Sequence, residues 1–130
     1  MLDHTGLVVT DLARARRFYD AIAGALGLST ISNSDQSFLL GKSKEEPFPY
    51  LWIGTVRPSY WVEGSRAGIN QAHIAFVAAD RAMVGAFYEA GIEAGGTDNG
   101  APGPRDGAPG YYGAFLLDPD GNNIEACCRS

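Results

Sequence analysis

The chain contains one module twice, and this repeat restricts the fold more than any other feature of the sequence. A shift of 69 residues superimposes a set of identical or similar residues: His4 on His73, Asp11 on Asp80, Phe18-Tyr19-Asp20 on Phe87-Tyr88-Glu89, Ala25 on Ala94 and Gly27 on Gly96. The two copies align without a gap, and both histidines of the chain are among the matched residues. The two copies are therefore expected to fold alike.

Each copy begins with a short apolar run that predicts a strand, at residues 7–9 in the first copy and 74–77 in the second. The run ends at Asp11 or Asp80, and an aspartate at a helix N-terminus accepts hydrogen bonds from backbone amides. Apolar residues at helical spacing follow, and the Phe-Tyr pairs among them predict the buried side of a helix. Each copy thus starts as a strand followed by a helix.

Three shorter strands are predicted after each helix, at 30–32, 37–40 and 50–54 in the first copy and near 94–98, at 112–117 and at 123–127 in the second. The last two are joined by Asp118-Pro119-Asp120-Gly121, a tight turn that makes them a hairpin. The expected fold class is therefore α+β, with two βαβββ modules forming a curved mixed sheet, a half-barrel cup. One domain, residues 1–130, would contain module one (1–54), a linker (55–72) and module two (73–130).

Two segments outside the predicted elements leave alternatives open. Residues 97–110 are rich in glycine and proline and are expected to lack regular structure. A loop of this length inside a domain is either a functional lid or an inert flexible connection. In the linker, Tyr60 and Trp61 are expected to pack over the sheet or at a subunit interface.

The composition excludes several partners. A net charge of −5 and a pI near 4.8 argue against nucleic acid, because phosphate binding needs a basic face. No run approaches the roughly 18 apolar residues of a membrane span, and the N-terminus has no pattern of a targeting segment. Cys127 and Cys128 are adjacent, so their side chains should point to opposite faces of a strand and form no bridge. We therefore expect a cytoplasmic protein.

Two histidines at equivalent points of a duplicated module could face one cavity across a pseudo-twofold axis. Glu125 is the best third partner, because it lies in the last predicted strand, where an unpaired buried carboxylate would be costly. Two imidazoles and a carboxylate with open positions suit a divalent transition metal. We predict that His4, His73 and Glu125 hold one divalent ion, which could be zinc, nickel, manganese or iron. Cys127 is a weaker candidate ligand.

Two stretches of the sequence resemble the vicinal oxygen chelate superfamily: Leu2-Asp3-His4 through the Phe-Tyr helix to Leu28, and Tyr111-Tyr112-Gly113-Ala114-Phe115 through Asp118-Pro119-Asp120-Gly121 to Asn122-Asn123-Ile124-Glu125. This superfamily contains glyoxalase I, the bleomycin and fosfomycin resistance proteins and the extradiol dioxygenases. The resemblance covers the whole chain. It implies paired βαβββ modules around a metal, ligands at His4, His73 and Glu125, and a homodimer.

The resemblance does not choose a reaction. Glyoxalase I uses a fourth ligand on the last strand of its first module, and Trp52 stands at the matching position here. Extradiol dioxygenases use an additional catalytic histidine, for which this chain has no counterpart. Many similar proteins carry a histidine in the loop before the tyrosine pair, near Gly107. Fosfomycin-type enzymes match the ligand count, but their cluster of cationic substrate ligands is not evident.

The leading hypothesis is a metal-dependent lyase, isomerase or dioxygenase that acts on a small substrate chelated through neighbouring oxygens. Glu125 could also serve as the catalytic base if it leaves the metal during turnover. The candidate substrate-binding residues are Arg105, Tyr111, Tyr112 and Trp52. The alternative is a binding protein of the bleomycin-resistance type, which sequesters a cationic drug without chemistry. The acidic composition and the aromatic residues of the first copy and the linker are compatible with it.

Overall fold

The computed structural model describes residues 1–68 and 72–130, and the predicted order of strands and helices occurs in it twice. Residues 69–71 of the predicted linker lie outside the described residues. The first module consists of β1 His4–Val8, α1 Leu12–Leu26, β2 Ser29–Ser34, β3 Ser37–Gly41 and β4 Tyr50–Gly54. The second consists of β5 His73–Val77, α2 Arg81–Glu93, β6 Thr97–Pro104, β7 Tyr111–Leu117 and β8 Asn123–Arg129. The α+β class is confirmed.

Both helices begin at the predicted aspartates. The Asp11 carboxylate accepts a hydrogen bond from the Arg14 amide at 3.0 Å, and the Asp80 carboxylate accepts one from the Met83 amide at 2.8 Å. Helix α1 ends at Gly27, whose φ of 68° is a backbone conformation that favours glycine. Among the described residues, neither α1 nor α2 is long and apolar enough to cross a bilayer.

Each module forms a four-stranded mixed sheet, with the order β1-β4-β3-β2 in the first and β5-β8-β7-β6 in the second. The first strand of each module pairs in parallel with its last strand. Gly6 of β1 lies beside Trp52 of β4, and Ala75 of β5 lies beside Glu125 of β8. Since Gly6 and Ala75 correspond in the repeat, Trp52 occupies in the first module the position that Glu125 occupies in the second.

The two sheets are not joined edge to edge within a single chain. Strands β1 and β5 each end their own sheet, and among the described residues neither pairs with a strand of the other module. The modules instead pack through their helical side, where α1 contacts α2 over one shared hydrophobic core. Gly91 of α2 allows this approach, because a Cβ there would lie 3.2 Å from Ile22 and 3.3 Å from Phe18 of α1.

A buried polar network also links the modules. The Tyr19 hydroxyl of α1 donates to the Asp118 carboxylate at 2.7 Å. Asp118, which is 3% exposed, also accepts from the Asp120 amide and from both the backbone and the side-chain amide of Asn122, each at 2.9 Å. Burial first, and then the Asp118 charge, raise the pKa of Tyr19 well above its usual range. The network fixes α1 to the turn that precedes β8.

The segment 97–110 differs from the sequence expectation. Its first eight residues, Thr97–Pro104, form β6, which pairs antiparallel with β7 and shifts register around Gly100. Because β6 is an edge strand, one side of it has no partner, and a proline there need not break a ladder of hydrogen bonds. The expectation of a structureless loop was wrong for these residues. The connection to β7 is 105–110 alone.

Candidate functional site

The second sheet has one face toward the core and one face away from it. Successive strand residues point to opposite faces. Ile124, Ala126 and Cys128 lie in the core, so the residues between them lie on the other face. We call this surface the Glu125 face; it consists of His73, Ala75 and Val77 on β5, Tyr111, Gly113 and Phe115 on β7, and Asn123, Glu125, Cys127 and Arg129 on β8.

Two of the predicted metal ligands meet on the Glu125 face. His73 Nε2 lies 3.1 Å from Glu125 Oε2, and the other ring nitrogen of His73 lies 2.7 Å from the side-chain amide nitrogen of Asn123. The His73 ring also stacks on Phe115, with 6.0 Å between ring centroids. The Glu125 side chain is 1% exposed, whereas that of His73 is 49% exposed. The imidazole is therefore oriented by its partners and remains accessible.

The second oxygen of Glu125 is held by a tyrosine. The Tyr111 hydroxyl donates a hydrogen bond to Glu125 Oε1. This hydrogen bond first, then burial and the carboxylate charge, raise the pKa of Tyr111 to about 12. Burial, and next the Glu125 charge, also raise the pKa of the Cys127 thiol, which forms no disulfide. Around neutral pH both groups are therefore neutral.

A glycine makes room for the carboxylate. A Cβ added at Gly113 would lie 2.9 Å from Glu125 Oε1 and 3.4 Å from the carbonyl oxygen of Ala126. The carboxylate thus occupies space that a side chain at this position of β7 would take. Tyr111 and His73 then define the direction of its two oxygens.

Arg105, a predicted substrate residue, belongs to the same region. Its guanidinium carbon lies 5.0 Å from the ring centroid of Phe115. Its Nε and Nη2 atoms donate to the Gly113 carbonyl oxygen at 3.2 and 3.1 Å, and Nη2 also donates to the Ala101 carbonyl. Arg105 therefore lies against Gly113 and Phe115 of β7, two residues of the Glu125 face.

His4 has different partners in the first module. Its Nδ1 lies 2.6 Å from Asp3 Oδ1, and its ring stacks on Tyr50 with 5.1 Å between centroids. It lines a cavity of about 570 Å³ together with Trp52 and Tyr60. Within residues 1–68 and 72–130 of one chain, no three His, Cys, Asp or Glu side chains form a group that could hold a metal. The structure of one chain therefore unites two of the three predicted ligands.

The profile of the Glyoxalase/Bleomycin resistance protein/Dioxygenase superfamily matches residues 1–126 of the sequence. The chain belongs to this superfamily. It is similar to a solved glyoxalase/bleomycin resistance protein from Albidiferax ferrireducens T118, at 34% identity and a TM-score of 0.80, over 100% of this chain and 99% of that one. No curated protein sequence gives a significant match.

Two more distant structures share the superfamily fold. A putative glyoxalase from Bacillus halodurans is 22% identical, with a TM-score of 0.72 over 98% of this chain and 95% of that one. A glyoxalase-related enzyme from Fulvimarina pelagi is 18% identical, with a TM-score of 0.71 over 98% and 87% of the two chains. These likenesses concern the fold alone. The predicted superfamily is confirmed, and its reaction is left open.

Two predicted substrate residues of this superfamily member lie away from the Glu125 face. Tyr112 follows Tyr111 on β7 and points to the opposite side of the sheet, where the Arg81 guanidinium lies 4.8 Å from its ring centroid. Trp52 lies on the first sheet and covers Gly54, where a Cβ would come within 2.4 Å of the indole ring. Tyr112 therefore does not lie on the same face as Tyr111, because neighbours on a strand point to opposite sides of the sheet.

Gly113 and Arg129 also lie at the site, although neither was predicted from the sequence as a site residue. The Arg129 guanidinium carbon lies 4.1 Å from the ring centroid of Tyr111. The signal for both residues was present, because the turn at 118–121 sets the hairpin register. Counting outward from that turn pairs Gly113 with Cys127 and Tyr111 with Arg129, which places all four on the face of Glu125.

Proposed function

We propose that the protein is a metal-dependent enzyme that binds a small substrate through two neighbouring oxygens. The observation that supports this best is the contact between the buried Glu125 carboxylate and His73 Nε2. No lysine or arginine forms an ion pair with Glu125 in the described part of the chain, and a buried carboxylate without a cation is costly. A divalent zinc, nickel, manganese or iron ion would supply that cation.

The surroundings of His73 fit a metal ligand. In metal sites the second ring nitrogen of a ligating histidine is usually hydrogen-bonded, and here Asn123 is its partner. The Asn123 amide nitrogen faces Nδ1 in this structure, and its oxygen accepts from Asn99. A half-turn of the Asn123 amide would let its oxygen accept from Nδ1–H and leave the Nε2 lone pair for an ion. A bound ion would supply Lewis-acid stabilisation of negative charge that develops on the substrate.

The other residues of the face have separate proposed roles. Glu125 is the proposed proton acceptor. Tyr111 remains a hydrogen-bond donor to it, because a pKa of about 12 keeps the phenol protonated at neutral pH. Arg105 and Tyr111 would contact the substrate, and Trp52 would contribute from the face of the first module.

We infer that His4 reaches the site from a second copy of the chain, in a homodimer. Strands β1 and β5 each lie at the edge of a sheet, with one side unpaired, and contain no proline. By contrast, β2 and β6 shift register, and β6 contains two prolines. Bulges and prolines weaken an edge for pairing, so β1 and β5 are better suited to pair between copies. Val77 of β5 is 86% exposed and would be covered by such a partner. Each dimer would contain two equivalent sites.

Mixing two inactive variants tests the shared site. We expect His4→Ala and His73→Ala homodimers each to lose the ion. Differently tagged chains, one carrying each substitution, are co-expressed and the mixed dimer is purified through both tags. It should regain one ion per dimer, because one site then has both histidines. Metal analysis measures this, with wild-type mixed dimers as the control. A mixed dimer no better than the parents, or a monomer by ultracentrifugation, would contradict the shared site.

Gly113→Ala should weaken binding of the ion by about tenfold, which is typical of changes next to the ligands. The added methyl group would displace the Glu125 carboxylate. Gly85→Ala on α2 is the matched control, because its Cβ meets no atom within 4 Å and alanine favours a helix by ~0.5–1 kcal/mol. Isothermal titration with Zn²⁺ and Ni²⁺ measures both variants. Equal affinities would show that Gly113 does not shape the site.

A second candidate function is sequestration of an aromatic cationic compound. The cavity of about 570 Å³ beside Tyr50, Trp52 and Tyr60 favours it, because aromatic side chains attract cations and flat rings. Turnover separates the two functions. Methylglyoxal with glutathione, catechols and fosfomycin with a thiol are assayed with each metal, and bleomycin binding is measured on metal-free protein. Metal-dependent turnover supports the enzyme, whereas tight metal-independent binding without turnover supports sequestration.

A further inference from the structure

We propose that the substrate of this site is a small anion, and that Arg129 binds its oxyanion group, whether carboxylate, phosphate or phosphonate. This inference rests on the proposed function and names its substrate class. It starts from two guanidinium groups, those of Arg105 and Arg129, that frame the Glu125 face. In residues 1–68 and 72–130, neither forms an ion pair with a carboxylate.

Arg129 is held in place while its hydrogen-bond donors remain free. Its guanidinium stacks over the Tyr111 ring at 4.1 Å from the centroid, and it donates no hydrogen bond to any other described residue. Stacking of this kind orients the planar group without using its N–H atoms. An arginine that lies over an aromatic ring and keeps its donors open is suited to bind a carboxylate or phosphate through two hydrogen bonds.

Arg105 contributes charge more than donors. Its Nε and Nη2 atoms are already bonded to the carbonyl oxygens of Gly113 and Ala101. Carbonyl oxygens carry no net charge, so the full positive charge of Arg105 stays beside Phe115 on the Glu125 face. Together with a divalent ion, the two arginines would outweigh the single Glu125 charge.

Two other arginines of the chain already have carboxylate partners. Arg14 and Arg16 form ion pairs with Asp120 and Asp20, at 3.3 and 3.0 Å. The chain as a whole carries a net charge of −5, which repels anions at long range. Local cations are therefore required if this protein is to bind an anion. Arg105 and Arg129 supply them on the same face as the His73–Glu125 pair.

The position of Arg129 relative to the proposed metal is set by Tyr111. The tyrosine reaches Glu125 with its hydroxyl, while its ring lies beneath the Arg129 guanidinium. Arg129 therefore lies at the rim of the site, one tyrosine ring away from the carboxylate. A substrate with two neighbouring oxygens at one end would place an anionic group at its other end against Arg129.

The first test uses inorganic phosphate and metal-free protein, so that it does not depend on the metal. Amide NMR shifts at Tyr111, Gly113 and Arg129 report binding at this face. We expect Arg129→Gln to weaken phosphate binding there by about tenfold. Arg81→Gln is the matched control, because Arg81 stacks on Tyr112 on the opposite face and bonds to the Ser130 carbonyl. Phosphate binding that is equal in the two variants overturns the inference.

The second test uses metal-loaded protein and compares glycerol 3-phosphate with glycerol. Both probes have a pair of neighbouring hydroxyl groups, and only the first has an anionic group. The wild type should bind glycerol 3-phosphate at least ~10-fold more tightly, and Arg129→Gln should lose that preference while keeping the metal. Retained metal with an unchanged preference in Arg129→Gln rejects the anion proposal alone. Failure of the wild type to hold any metal rejects the proposed function, and the phosphate test then decides the role of Arg129.

Discussion

Glu125→Gln is expected to weaken binding of a divalent ion by more than ~100-fold, because changes to outer-shell partners alone cost 10 to 100-fold. The amide keeps the volume and one oxygen of the carboxylate, so Tyr111 can still donate to it. What the substitution removes is the negative charge that faces His73. Divalent ions depend on that charge, since imidazoles are neutral ligands.

Metal content after dialysis against Zn²⁺, Ni²⁺ or Mn²⁺, together with titration calorimetry, measures this effect. Glu89→Gln is the matched control, because Glu89 is exposed on helix α2 and is not part of the Glu125 face. Thermal melting of both variants checks that they fold. If Glu125→Gln retained the ion with wild-type affinity, Glu125 would not be a ligand. The His73–Glu125 contact would then be an ordinary hydrogen bond.

Asp118→Ala should lower the free energy of unfolding by about 3 kcal/mol or more, because each buried donor left without an acceptor costs ~1–3 kcal/mol. Two such donors, the Tyr19 hydroxyl and the Asn122 side-chain amide, bond to this carboxylate in the core. The substitution also removes an acceptor for backbone amides of the turn. The loss would therefore affect the contact between modules as well as the turn.

Urea unfolding at a fixed protein concentration measures this loss, because the stability of the proposed dimer would depend on concentration. Tyr19→Phe removes one donor and should cost less, about 1–2 kcal/mol. Asp106→Ala is the control at an exposed aspartate and should change stability by less than about 0.5 kcal/mol. A loss for Asp118→Ala no larger than that of Asp106→Ala would refute the structural role of the network.

Much of the fold was predictable because its signals are local. The repeat, the helical spacing and the capping aspartates depend on residues a few positions apart, and Asp11 and Asp80 are confirmed as N-caps. Strand β4 was predicted with its observed bounds. The prediction failed at β6, where glycine and proline indicated a loop. An edge strand tolerates these residues because half of its hydrogen-bonding groups have no partner, and the sequence alone does not show which strand is at an edge.

The candidate site was likewise predictable in part from local sequence signals and in part not. His73 and Glu125 were predicted together, and they are in contact. Tyr111 and Tyr112 were grouped by proximity in the chain, although alternation along β7 separates them. Arg129 was missed, because its relation to Tyr111 follows from hairpin register and stacking.

The amino-acid sequence alone is sufficient to show that one module occurs twice, that each copy is βαβββ, and that the two histidines lie at equivalent positions. Those features depend on periodicity and on the chemistry of single residues. The packing of the modules through α1 and α2, which leaves β1 and β5 as open edges, becomes evident only in the folded chain. That choice depends on contacts between residues far apart in the chain, such as Gly91 with Phe18 and Tyr19 with Asp118. Within one chain, this packing keeps His4 apart from the His73–Glu125 pair, because each histidine is held by its own sheet.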